Sequence, residues 1–472
     1  MRRHPHLTES PPIMMSLRPF IRLAWLAPVL ALAACGAQVA PLVKPTLPAS
    51  HWQAALPADT PQAHGWQDYH SAELLRLQAQ ALADNPGWQA ALSRVAQARA
   101  SLAAVDGARQ PQLNLSGNRA SSQTRQQGSE QNTENWQAGA SVAYEVDLWG
   151  RLAAGSRSAQ ASAEASEYAA ASTRLLLETD VASGYFRLCL LDERLRLNDE
   201  DIAAARTILR GLEGKQRVGA ASQLDIAQQA QLLATQEAAR ASLLAQRGAA
   251  LTALAVLVGA PPQGFAVATQ PLAQLTALSP ALRQPGELLA RRPDIAQAEA
   301  LLRAADADVD AARAAFFPKL TLSASSLWAA SGGGPAGLAA SLLAGLSAPL
   351  WDGGQLNAGL QRNAARRDEL TANYRASLLT ALKEGEDALD GLARQQSRDA
   401  ALARALTAAE QSYALAQGRL RAGALDGLSL LNAQRTLIAS RDSRAQSRFD
   451  SLQAGIALYK ALGGGWAADA GG

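Results

Sequence analysis

Residues 136–148 read Trp-Gln-Ala-Gly-Ala-Ser-Val-Ala-Tyr-Glu-Val-Asp-Leu, and their pattern indicates how this part of the chain folds. Apolar or small side chains at the even positions alternate with mostly polar or small ones at the odd positions. A period of two is typical of an amphipathic β-strand, here with the acidic side chains on one face. The strand exceeds the roughly five or six residues usual in globular sheets and suits a tilted bilayer crossing, which takes about ten. A soluble, two-sided sheet is the alternative.

Each such strand has a predicted partner, so the chain is expected to form two hairpins. The first spans residues 111–150: one strand begins at Pro111, and a polar loop rich in Gln, Ser and Asn covers residues 121–135. The second spans residues 318–351 and has a Gly-rich loop between its strands. Four strands per chain are therefore predicted.

The two hairpins belong to an internal repeat. Four segment pairs recur in the same order: 108–116 with 315–323, 147–150 with 349–352, 218–220 with 422–424, and 254–259 with 458–463. Their spacing drifts by only a few residues, which indicates a duplication of roughly 205 residues.

Long helices are predicted after each hairpin. No proline occurs between Pro111 and Pro261 or after Pro349, and the intervening segments are rich in helix-forming Ala, Leu, Arg, Glu and Gln. We expect a helix over 152–217 that turns back to about Val258, and a second pair over 355–420 and 428–462. Helices of this length must pack side by side, because they cannot enclose a globular core.

The N-terminus carries a predicted secretory signal. Basic residues precede the short apolar run 23–34, which ends in Leu-Ala-Ala before Cys35. This tetrapeptide resembles the bacterial lipobox and predicts lipidation at Cys35; an ordinary signal peptide with a coincidental cysteine is the alternative. No later window is long and apolar enough for a transmembrane helix, so a spanning segment would have to be a strand.

Composition argues against catalysis and nucleic-acid binding. The chain has 44 basic and 41 acidic residues, and all five histidines lie at or before His70. Cys189 lies in a Leu-rich helical stretch and is expected to be a buried small hydrophobe. Residues 332–337 match a dinucleotide fingerprint by letter, but they lie in the second hairpin loop and no helix follows. We expect no catalytic residue, cofactor or metal site.

These features predict five segments. Residues 1–34 form the signal peptide, 35–75 the lipidated segment and linker, 76–262 the first structural repeat, 263–285 an equatorial linker, and 286–472 the second repeat with a C-terminal tail.

Strand counting predicts an oligomer. Four strands cannot close a barrel, and open edges in lipid leave unpaired backbone groups that cost several kcal/mol each. The smallest membrane barrels have about eight strands, so a dimer with eight and a trimer with twelve both remain possible on this argument.

The repeat plan resembles the outer membrane factor family of TolC-type channel-tunnels. The resemblance rests on the Pro-x-Leu-x-Leu strand starts at Pro111 and Pro318, on residues 144–151 and 349–354, and on the paired glycines Gly219 and Gly423. The lipobox and residues 65–69 are similar to its OprM/NodT-like lipoprotein branch. The resemblance implies an α+β membrane protein: a homotrimer with a 12-stranded β-barrel in outer-membrane lipid and a long periplasmic α-helical barrel. It also implies two protein partners, a periplasmic adaptor (membrane fusion) protein and an inner-membrane, proton-driven pump.

The resemblance also implies functional positions, where simple turn or packing roles are the alternatives. The adaptor would dock on two helix tips, in which Ala422 replaces the family's usual Val: Val218, Gly219, Ala220, Ala422, Gly423 and Ala424. A pore constriction would form at Leu428 and at Asn432, which stands where similar proteins have Asp.

The expected function is therefore the outer-membrane exit channel of a tripartite efflux system for small toxic compounds. A type I protein-secretion exit and a periplasmic coiled-coil scaffold are the alternatives.

Overall fold

The computed structural model describes residues 65–126, 128–276, 291–331, 334–422 and 427–464. Cys35 and the whole predicted signal peptide lie outside the described residues.

The elements follow one another in the predicted order. They are α1 (Ala72–Asp84), α2 (Pro86–Gly107), β1 (Gln112–Gln126), β2 (Ser129–Val146), α3 (Arg151–Gln216), α4 (Gln223–Leu257), α5 (Pro293–Ala314), β3 (Lys319–Ser331), β4 (Gly337–Ser347), α6 (Gln355–Arg421) and α7 (Gly427–Ala461). Short 3-10 helices occupy Trp66–Tyr69 and Leu272–Gln274.

The helices of the two halves have matching lengths. Helices α2 and α5 have 22 residues each, α3 and α6 have 66 and 67, and α4 and α7 have 35 each. The ends of the long helices lie within about one residue of their predicted bounds, the end of α4 included. At about 1.5 Å per residue, α3 is roughly 100 Å long.

An aspartate caps the start of α3 and another caps the start of α6. The Asp147 carboxylate accepts hydrogen bonds from the backbone N–H groups of Leu152 (3.1 Å) and Ala153 (2.7 Å). Asp352 accepts from the N–H of Leu356 at 2.6 Å in the same way before α6. These carboxylates satisfy N–H groups that have no partner within the helix.

The chain divides into two compact units. The described residues of one are 103–158 and 305–368, which include the whole sheet. The other contains the main apolar core, where fully buried side chains from α1, α3 and α4 meet, among them Leu77, Tyr185 and Leu254.

The four strands form one antiparallel sheet in the order β1-β2-β3-β4. Paired residues form rows that run across the sheet from strand to strand. In one row Leu113 lies beside Val142, Val142 beside Ala324, and Ala324 beside Leu342. Strands β1 and β4 each keep one free edge.

The predicted polar loop over residues 121–135 is wrong, because most of it is strand. β1 and β2 pair as far as Gln126 with Ser129. Polar side chains do not prevent pairing here, since the backbone makes the ladder and opposite charges face each other across it. Arg119 pairs with Glu134 at 2.9 Å.

Candidate functional site

One face of the sheet is apolar over most of its length. Because neighbouring residues in a row share a face, the even positions of β2, β3 and β4 lie with the odd positions of β1. This apolar face contains Leu113, Leu115, Ala138, Ala140, Val142, Tyr144, Val146, Leu320, Leu322, Ala324, Leu338, Leu342 and Leu346. Many of them are exposed, Leu342 to 85%.

The apolar face has the height of a membrane and aromatic borders. It runs along β3 from Leu320 to Ala330, about 33 Å of strand at roughly 3.3 Å per residue. With the usual tilt of about 40°, this corresponds to a band roughly 25 Å tall, as in outer-membrane barrels. Trp136 and Trp328 lie at one border, and Trp149 and Trp351 follow the strand ends at the other.

The opposite face of the sheet is more polar. Asn114 lies beside Ser141, and Ser141 beside Ser325, whose hydroxyl is hydrogen-bonded to that of Ser341 at 2.8 Å. The expectation that the acids of β2 line this face holds only in part. Glu145 forms a bidentate ion pair with Arg151 at 2.8 Å, and Asp147 lies beyond the strand as a helix cap.

The first helix tip is a closed turn at the predicted position. Gly219 has φ 72°, and the N–H groups of Ala220 and Gly219 bond back to the carbonyls of Lys215 (2.8 Å) and Gln216 (2.9 Å). This pair of backbone hydrogen bonds ends a helix around a residue in the left-handed conformation, a position that favours glycine. Val218 is 79% exposed, and Ala220 is also exposed.

The start of α4 completes this tip. Ser222 and Asp225 form a reciprocal capping box, in which each side chain accepts a hydrogen bond from the other residue's backbone N–H. The pattern Ser-x-x-Asp could have been found in the sequence.

The second tip lies only partly among the described residues. Ala422 is exposed at the end of α6, whereas Gly423 and Ala424 lie outside the described residues. Sequence reasoning missed two contacts that join the tips. Lys215 Nζ donates to the carbonyl of Leu420 at 2.8 Å, and a Cβ on Gly427 would lie 2.7 Å from Asp225 Oδ1.

The two predicted constriction residues do not lie on the packed face of α7. Leu430 and Leu431 are buried, and Gln434 is buried against Gln229, with 3.3 Å between their side-chain amides. Leu428 is 47% exposed and Asn432 is also exposed. The two lie four residues apart on one exposed face.

A buried acid lies between α3 and α7, away from the helix tips. Asp201 on α3 is 6% exposed and accepts a hydrogen bond from Arg441 of α7 at 3.2 Å. Burial raises the pKa of Asp201 to about 6, although Arg441 acts in the opposite direction; neighbouring Glu200 raises it further. Cys189 is buried as predicted, and burial raises the pKa of its thiol to about 11.

The described part of the chain has neither a helix suited to crossing a membrane nor a cluster suited to a metal ion. None of its helices combines the length and the apolar character needed to cross a membrane. Its His, Cys, Asp and Glu side chains form no group of three or more that could hold a metal ion.

Comparisons with known proteins agree along nearly the whole chain. A family described as outer membrane efflux protein matches residues 77–260 and 284–464. The pyoverdine export outer membrane protein OpmQ of Pseudomonas aeruginosa is 38% identical over 470 residues, covering 95% of this chain and 97% of that protein. The cation efflux system protein CusC of Escherichia coli is 30% identical, with 87% and 90% covered. The solved outer-membrane channel OprN is 27% identical with a TM-score of 0.83, covering 91% of this chain and 99% of OprN.

Proposed function

The chain belongs to the outer membrane efflux protein family, and on that premise we propose that it carries small toxic compounds out of the cell. It is an outer-membrane component of a tripartite efflux system and works as a homotrimer with a periplasmic adaptor and an inner-membrane pump. The observation that carries the proposal is the apolar face of the sheet, which ends in two free strand edges. Three copies bring twelve strands, enough to close a barrel around a lumen lined by the polar face.

Small molecules are better supported than polypeptides as the compounds that this protein transports. The names of similar proteins refer to pyoverdine export, solvent efflux, toluene efflux and cation efflux. Solvents, toluene and cations are small, which favours efflux over type I protein secretion. The proposed role is conduction rather than catalysis, and it needs no cofactor.

The two helix tips are the proposed adaptor-docking surface. Val218, Gly219, Ala220 and Ala422 are exposed, and they leave backbone accessible to a partner. Gly423 and Ala424 are assigned to the same surface by the repeat.

The pore constriction is proposed at Leu428 and Asn432. Both side chains are available to a lumen, because the packed face of α7 is formed by other residues. Three amides around the axis would bind water or one another and would attract cations less than three carboxylates.

Lipidation at Cys35 and the division into two repeats complete the proposal. The Leu-Ala-Ala-Cys tetrapeptide that ends at Cys35 supports the lipid anchor, and mass spectrometry of the mature N-terminus tests it: an unmodified terminus downstream of Cys35 would exclude it. Repeats over 76–262 and 286–472 are supported by the matching helix lengths.

Cellular accumulation of a fluorescent efflux substrate tests the function. Removing this protein, the adaptor or the pump should each raise accumulation to the same level. Normal accumulation together with loss of a secreted polypeptide would instead identify a protein-secretion exit.

A further inference from the structure

Trp149 connects the two repeats at the border of the sheet where Trp351 also lies. It follows β2, and its ring stacks on Phe317 with 4.8 Å between ring centroids. Its indole N–H donates to the carbonyl of Pro318 at 2.7 Å, directly before β3. Because β2 and β3 are paired, this contact fastens the hairpin of one repeat to the hairpin of the other.

The repeat supplies the same elements a second time, but on opposite edges of the sheet. Trp351 follows β4 as Trp149 follows β2, and Pro111 precedes β1 as Pro318 precedes β3. Strands β1 and β4 are the two edge strands, so within one chain these residues belong to opposite edges.

Trp351 and Pro111 are more exposed than their counterparts in the other repeat. Trp351 is 90% exposed, whereas Trp149 is 50% exposed, and the Trp351 indole N–H makes no hydrogen bond to any described residue. Pro111 is exposed, whereas Pro318 is half-buried near Trp149. The indole N–H of Trp351 therefore lies exposed at the β4 edge of the sheet, and the carbonyl of Pro111 lies at the β1 edge. They are the counterparts of the Trp149 N–H and the Pro318 carbonyl, which are hydrogen-bonded to each other.

We propose that Trp351 of each protomer closes the seam between protomers by donating its indole N–H to the backbone carbonyl of the partner subunit's Pro111. The inference rests on the homotrimer, in which the β4 edge of one copy meets the β1 edge of the next. Gln110 stands where the internal junction has Phe317, so this seam lacks the aromatic stack. The seam between protomers therefore lacks one contact that stabilises the internal junction.

Photo-crosslinking tests the contact in full-length protein in outer membranes. A benzoylphenylalanine placed at position 351 keeps an aromatic side chain and should give crosslinked dimers whose peptides include Pro111. The matched control at position 149 should crosslink within one chain, to the segment around Pro318. Dimers that map elsewhere, or only monomers in a sample that runs as trimers, would overturn the proposal. Absence of trimers in the unmodified protein would instead refute the homotrimer.

A second measurement addresses the hydrogen bond itself. Trp351→Phe removes the N–H and keeps the ring, and it should make trimer dissociation in detergent about fivefold faster per seam, the effect of one neutral hydrogen bond. Trp149→Phe should leave trimer dissociation unchanged. Equal dissociation rates for Trp351→Phe and wild type would contradict the proposed bond.

Discussion

Leu342→Arg should destabilise the membrane-inserted trimer strongly. Leu342 lies on the apolar face in the row of Leu113, Val142 and Ala324. Ala324 is four residues from Leu320 along β3, which places the row about 13 Å into a strand path of roughly 33 Å, close to the bilayer centre. Arginine at such a depth costs about 2–3 kcal/mol, so three copies should lose roughly 6–9 kcal/mol per trimer.

Ser341→Arg is the matched control, because Ser341 lies at the same depth on the opposite face. It should change the free energy of unfolding by less than about 1 kcal/mol per chain, since its side chain meets water in the lumen. Denaturant unfolding from phospholipid vesicles, followed by tryptophan fluorescence, measures both variants. Equal losses for the two would refute the assignment of the apolar face to lipid.

Three further predictions concern the helices. In planar bilayers, Leu428→Ala should raise basal conductance and Asn432→Asp should raise cation selectivity; wild-type behaviour of both would place the constriction elsewhere. Phe at Ala220 or Ala424 should abolish efflux in a cellular accumulation assay while native gels still show trimers, and full efflux in both would exclude these tips as the docking site. Burial raises the pKa of Asp201 to about 6, above its unfolded value near 4, so the native state binds the proton more tightly and loses stability as the pH rises through this window. Denaturant unfolding should therefore show about 1 kcal/mol more stability at pH 5 than at pH 7 from this group, and Asp201→Asn should remove that difference.

The long helices could be predicted from sequence because one simple property determines them. Segments without proline and rich in Ala, Leu and Glu leave no competing structure, and the repeat supplies each bound twice. The first hairpin was harder, since Gln, Ser and Asn favour turns in an isolated segment. Once the apolar rows set the register of β1 and β2, pairing continues past Trp136 regardless of side-chain type.

The site was predictable only where a turn requires a particular residue. Gly219 could be found because its positive φ favours glycine. The bond from Lys215 to the Leu420 carbonyl joins residues far apart in sequence and depends on the packing of two helix ends. Nothing in the local pattern around Lys215 marks it, so only the structure reveals it.

Reconstitution across two membranes shows whether this protein is the exit channel of the efflux system. Vesicles that carry the pump and adaptor would be mixed with vesicles that carry this protein, and a fluorescent efflux substrate would be added to the external medium. We predict that the substrate appears inside the second vesicles only when pump, adaptor and this protein are all present and the proton gradient is intact. Transfer at the same rate without this protein would contradict its role as the exit channel.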